Sequence, residues 1–209
     1  MSNNMKNECI QMFCVPIQKT VLELNIDSLI EFCYEMKRKD EKGVEMSNLG
    51  GWQSDDIIHE THTEFVKLKT EIADAAKTYH ENLKFKKTAE QKLSNIWVNI
   101  NQKGHSNEWH IHARATLSGA FYLTKGKAPI VFEHPFKDIN EYYWDYPLIE
   151  EWDGANSGHW RIIPEPNTLF VFPAWVYHKV DANKEDTDRI SLSFNTYHRS
   201  DEAQALKMF

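Results

Sequence analysis

The sequence predicts a mostly β protein, an antiparallel barrel or jelly roll with N-terminal helices packed on one outer face. Three observations carry this expectation. Apolar residues recur at helical spacing as far as Leu83, and then from Leu93 at every second position to Asn195. The alternating stretches are short and bounded by Gly, Pro, Asn and Asp, which favour turns. Two histidines, His110 and His112, sit together just before an apolar stretch, and His178 lies 66 residues beyond His112, a separation that facing strands of a barrel can close.

In chain order, the apolar run at 10–15 ends at Pro16 and is expected to be a strand at a sheet edge, where the missing N–H is tolerated. Ser28 with Glu31 has the spacing of a capping box, and Leu29, Phe32, Cys33 and Met36 recur as the stripe of a first helix. The Gly50-Gly51 pair makes 48–52 a turn. A second helix over 64–83 carries Phe65, Leu68, Ile72, Ala75, Ala76, Tyr79 and Leu83 on one side, read as contact with a sheet. Beyond it, Ile96, Val98 and Ile100 alternate with Trp97, Asn99 and Asn101. Further strands are expected at 116–123, 129–132, 160–163, 168–172, 176–180 and 189–195. Residues 133–158 break this rhythm. They are aromatic without a clean period, which suggests a lid beside the barrel mouth, with a satellite core over the sheet as the other reading.

At 209 residues the chain is long enough for one domain: 1–92 supplying an N-terminal strand and supporting helices, 93–199 the metal-binding jelly-roll core. A net charge of -7 argues against nucleic acid, because phosphate binding needs clustered Lys and Arg. The basic runs at 37–39 and 84–87 are short and flanked by acids, as solvated helix ends are. Cys9, Cys14 and Cys33 are odd in number and lack CxxC spacing, so they form no disulfide framework and fit a reducing compartment. The polar first residues and the lack of a long apolar run point to a cytoplasmic protein, with no membrane partner.

Side chains at i and i+2 of an extended strand project to the same face, so His110 and His112 can chelate one ion with His178 as the third ligand. Three protein ligands leave coordination positions open, which is the mark of a catalytic site rather than a structural one. Arg189 opens an alternating strand. Either it pairs at the surface with Asp186 or Asp188, or it points inward and needs an anion.

The order Gly104, His110-x-His112, Ser118-Gly119 with Tyr122-Leu123, Phe172-Pro173, His178 and Arg189-x-Ser191 with Phe194-Asn195 resembles the Fe(II)- and 2-oxoglutarate-dependent oxygenase superfamily. In particular it resembles a phage and bacterial branch with the pattern WHxH, SGxxYL, FPxWxxH and RxSxSFN. These motifs span 96–195, about half the chain. The resemblance implies a double-stranded β-helix. It also implies an enzyme that hydroxylates a small molecule or a protein side chain while converting 2-oxoglutarate to succinate and CO2. His110 corresponds to the first histidine of the family's metal site and His178 to its distal histidine. Arg189 and Ser191 correspond to the pair that receives the far carboxylate of 2-oxoglutarate, and Tyr122 stands where related enzymes place a second donor to it. His112 departs from the pattern, because the superfamily has Asp or Glu there. Three imidazoles would also suit Zn or Ni.

Two other readings stay open: a non-catalytic sensor or structural module that binds the metal and the acid, and a cupin-like three-histidine dioxygenase without 2-oxoglutarate, against which the Arg-x-Ser pair counts. Trp97, Trp109 and Trp175 either stack a substrate or pack in the core. Asn99 and Asn101 either line the cavity or face solvent. His59, His62, His80, His105, His134, His159 and His198 are given no role.

Overall fold

The computed structural model describes residues 12–86 and 89–198. Eleven strands form two antiparallel sheets. The six-stranded sheet has the order β1 (Gln18–Val21), β9 (Thr168–Pro173), β6 (Leu117–Tyr122), β11 (Arg189–His198), β4 (Gln91–Asn101), β3 (Trp52–Gln53). The five-stranded sheet has the order β2 (Asn48–Leu49), β5 (Ser106–His110), β10 (His178–Val180), β7 (Ile130–Glu133), β8 (His159–Ile162). Two long helices, α1 (Ile26–Lys39) and α2 (Thr63–Asn82), complete the N-terminal part. The expected barrel with helices on one side is therefore observed.

Alternation along the strands creates two cores. Ile96, Val98 and Ile100 of β4, Leu169 and Val171 of β9, and Ile190, Leu192 and Phe194 of β11 pack with Leu29, Phe32, Phe65, Leu68 and Ile72 of the helices. The opposite faces of the same strands turn between the sheets, where Ala120, Tyr122, Phe170 and Phe172 meet Ile130, Phe132 and Val176. The helices thus cover the apolar outer face of the large sheet, and its inner face is left to line the barrel interior.

Several local expectations need correction. Residues 12–15 are not a strand, and 10–11 lie outside the described residues. The edge strand is instead β1, which begins two residues after Pro16, pairs with β9 and alternates half-buried with exposed side chains. An edge strand needs only one apolar face, so its polar sequence hid it beside the more apolar run upstream. Ser28 does not cap α1. Asn25 does, its side-chain oxygen accepting from the Ser28 amide at 3.1 Å, which makes Ser28 the third helical residue. All four residues of the expected α1 stripe are buried. In α2 the stripe holds up to Tyr79, but Leu83 is past the helix end and 42% exposed. The turn at 48–52 also contains two short strands, one in each sheet. Gly50 and Gly51, at φ of +64° and +72°, carry the chain between them, and a Cβ on Gly50 would strike the His105 ring.

The 133–158 segment joins β7 to β8 and is not irregular throughout. It folds as α3 (Lys137–Tyr143) and a 3-10 turn (Tyr146–Leu148), neither of which buries a side chain. Among the described residues no helix is long and apolar enough to cross a membrane.

Gly119 shows how tightly the large sheet packs. A Cβ there would overlap the Phe170 carbonyl oxygen and the Phe194 ring. Gly119→Ala should therefore destabilise the fold by about 1–3 kcal/mol in chemical denaturation, as overpacking of a rigid core does. An unchanged midpoint would show that this contact is loose.

Candidate active site

His110 ends β5, and His178 opens β10 directly opposite it. Two residues on, the β10–β5 pairing slips: Val180 lies opposite Asn107, so β5 has one residue more than its partner. Such a bulge re-aims side chains, and here it lets both Asn107 and His110 face the interior. His112 lies beyond the end of the strand rather than on it. Its amide donates to the Ala174 carbonyl at 2.9 Å, which ties it to the chain just ahead of His178. The strand geometry expected for His110 and His112 is therefore replaced by a strand end plus a tether. The outcome is still a cluster, with one ring nitrogen from each of the three histidines within 4.8 Å of the others.

Hydrogen bonds orient two of the rings. His110 Nδ1 lies 2.7 Å from the Glu108 carbonyl and His178 Nδ1 lies 2.8 Å from the Val176 carbonyl. A carbonyl only accepts, so both Nδ1 atoms carry hydrogen and both Nε2 atoms keep a lone pair, that of His178 lying 3.3 Å from His112 Nε2. His112 is held differently. Trp97 stacks on it at 5.6 Å, and its ring shares a side-chain hydrogen bond with Asn195. The same Asn195 Oδ1 accepts from Ser118 Oγ at 2.6 Å. Burial keeps all three imidazoles neutral. It is the main cause that pushes His178 down to about 3 and His112 down to about 4, with His110 reinforcing both, and it lowers His110 as well.

A cavity of about 630 Å³ opens onto this cluster. At its inner end Arg189 is only 4% exposed, its guanidinium 5.0 Å from the Tyr122 ring centre and hydrogen-bonded to the Tyr122 side chain. Arg189 Nε has no hydrogen-bond partner. The two acids that could have held it at the surface are engaged elsewhere, Asp186 with Lys103 at 2.7 Å and Asp188 with the Tyr34 hydroxyl at 2.8 Å. Ser191 is buried beside them, opposite Tyr122 on β6, and also lines the cavity. Burial lowers Arg189 and raises Tyr122, the latter against the opposing charge of Arg189.

All six predicted site residues thus line one cavity. Trp97, Trp109 and Asn99 line it too, whereas Asn101 is occupied in donating to Asn107 Oδ1 at 3.0 Å and Trp175 is 56% exposed away from it. None of residues 133–158 lines the cavity; its outer wall includes Glu45, Met46 and Ser47 instead. Sequence reasoning gave no role to Asn195 and Ser118, although both stand in the quoted motifs, and it had no periodic signal by which to find 45–47. Of the other histidines, His80 serves local structure, stacking on Phe85 at 4.4 Å and bonding Gln91 at 2.8 Å.

Residues 95–195, from β4 through β11, match the family described as "Putative 2OG-Fe(II) oxygenase". Among curated protein sequences none matches the chain. A prolyl-4-hydroxylase from Pseudomonas putida shares the fold with a TM-score of 0.61 at 13% identity, over 89% of this chain and 94% of its own. The viral collagen prolyl hydroxylase of Paramecium bursaria Chlorella virus-1, solved with 2-oxoglutarate, gives 0.57 at 11% identity, over 86% and 94%. The epimerase SnoN, in complex with Fe3+, α-ketoglutarate and nogalamycin RO, gives 0.60 at 14% identity, over 93% and 86%. The match to this oxygenase family runs from β4 through β11, just under half of the chain, and the chain shares its fold with these solved structures.

Proposed function

We propose that His110, His112 and His178 hold Fe(II), that Arg189, Ser191 and Tyr122 receive the far carboxylate of 2-oxoglutarate, and that the enzyme hydroxylates a substrate entering past Trp97 and Trp109. One observation carries this reading. A buried guanidinium with an unpartnered Nε faces the same cavity as three neutral imidazoles. A buried cation without a protein counter-ion calls for an anionic ligand, and a carboxylate satisfies it through charge-assisted hydrogen bonds. The donor set fits iron as well, because imidazole suits Fe(II) and three ligands leave room for a chelating keto acid. Iron with bound 2-oxoglutarate supplies the oxidising chemistry, consuming O2 and releasing succinate and CO2.

The chain's own residues bind, orient and exclude water. Glu108 and Val176 fix the tautomers of His110 and His178. Asn195 and Trp97 set the plane of His112, which is needed because an imidazole in place of the superfamily's carboxylate contributes no charge to hold the metal. Tyr122 and Arg189 keep each other in place at the buried end of the cavity.

Three outcomes are expected. Alanine at His110, His112 or His178 should weaken Fe(II) or Co(II) binding by about tenfold or more, and His112→Asp should retain it. Because burial lowers all three imidazoles, affinity should not fall through the ordinary histidine range and should drop as pH approaches about 4, where His112 titrates. A fall through the ordinary histidine range near 6.5 would contradict the buried cluster.

Arg189→Ala should weaken 2-oxoglutarate binding by about 30-fold or more, the lower end of the roughly 2–5 kcal/mol lost with a buried charge-assisted pair, and leave metal binding nearly unchanged. Equal loss of both ligands would make Arg189 a structural residue.

Purified protein with Fe(II), ascorbate, 2-oxoglutarate and O2 should release succinate above a His178→Ala control. Saturated binding of both ligands with no succinate under any condition would replace the enzyme with a sensor.

A further inference from the structure

Six of the chain's seven net negative charges sit in the 26 residues of the 133–158 insert, which has seven carboxylates against Lys137 alone. That lysine is already held by Asp138 at 3.0 Å and Glu141 at 3.5 Å. The same insert presents Tyr142 at 82%, Leu148 at 79%, Tyr143 at 76% and Ile139 at 57% exposure. Apolar surface collected in this way marks an interaction surface, and the carboxylates set among it select the sign of what lands there.

The insert is anchored at the mouth of the active-site cavity. At one end the Glu133 amide donates to the Tyr177 carbonyl at 2.9 Å; at the other His159 packs on Trp109 at 5.3 Å, while Tyr177 stacks on the same indole at 5.4 Å. Trp109 lines the cavity, and so do the exposed Glu45 and Glu108. Among the described residues that line it, the sole lysine or arginine is Arg189 at the buried end. Charge therefore runs from an anionic approach and mouth to a cationic floor.

We propose that the substrate is a basic polypeptide segment, whose lysines, arginines and apolar side chains dock on the insert while one residue passes Glu45 and Glu108 into the cavity. The docking rests on the insert, and the chemistry done there rests on the oxygenase reading above. A small free cation would use the mouth alone and leave the exposed side of α3 without a purpose. A nucleic acid would be repelled by the same carboxylates. Inside, the Asn95 and Asn99 carboxamides on the cavity wall suit the peptide groups of an entering chain.

The test uses three fluorescently labelled peptides of equal length and apolar content, with the same positions filled by Lys, by Gln or by Glu, titrated against the full-length chain by anisotropy. The Lys peptide should bind about tenfold or more tighter than the Gln peptide, the Glu peptide should not bind, and added salt should weaken the Lys complex. Two variants at exposed positions, Glu141→Gln/Asp145→Asn/Glu150→Gln/Glu151→Gln and Tyr142→Ala/Tyr143→Ala, should each weaken it about fivefold or more with the melting temperature unchanged. Equal binding of the three peptides overturns the proposal. So does Lys-peptide binding that both variants leave intact, or sedimentation showing the insert buried between two copies of this chain. Succinate release without Lys selectivity sinks the docking surface alone, whereas Lys selectivity without succinate sinks the oxygenase reading alone.

Discussion

The apolar layer between α1, α2 and the outer face of the six-stranded sheet is what the rest of the molecule depends on. Ile96, Val98 and Ile100 of β4, Leu169 and Val171 of β9, and Ile190, Leu192 and Phe194 of β11 are committed to it, and all are buried. At about 1.5–3 kcal/mol for each large apolar side chain removed from water, this layer is the main source of stability. Because the stability comes from the outer face, the inner face of β4 and β11 is free to be polar. Asn95, Trp97 and Asn99 on one strand, and Arg189, Ser191, Ser193 and Asn195 on the next, form a wall that no ordinary core would tolerate.

That wall and the smaller sheet enclose a site with divided electrostatics. Burial strips the three imidazoles of protons, and so creates lone pairs where a cation can sit. A short distance away, Arg189 is buried with its Nε short of an acceptor. The two halves are complementary to a metal ion and a dicarboxylic acid respectively, and a keto acid that chelates the ion while reaching the guanidinium satisfies both together. The orientation of the His112 ring is fixed by its neighbours: Trp97 stacks on it, and Asn195, itself held by Ser118, bonds to it.

The barrel was legible because an alternating strand declares its buried face, and Arg189, Ser191 and Tyr122 stand in phase on such strands; His112, beyond the end of β5, reaches the same cavity without following that rule. Helix stripes were equally plain at Leu29, Phe32, Phe65 and Leu68. What failed was local. Asn25 rather than Ser28 caps α1 because cap choice turns on backbone dihedrals that a four-residue pattern does not encode. β1 was hidden because an edge strand needs only one apolar face, and the bulge in β5 was hidden because an extra residue leaves no trace in composition. Within 133–158 the sequence showed aromatic content but not α3 or the 3-10 turn, because neither buries a face and so neither leaves an apolar period.

The account stands most directly on joint capture of metal and keto acid by one cavity. Anaerobic titration of the purified chain with Fe(II) and then 2-oxoglutarate should produce the weak visible metal-to-ligand charge-transfer band that forms when the keto acid chelates iron. Arg189→Ala should demand far more 2-oxoglutarate to reach it, and His112→Ala should abolish it. Absence of the band at saturating concentrations of both, in a protein shown to be folded, would contradict the assignment of the three histidines and Arg189 to a single site.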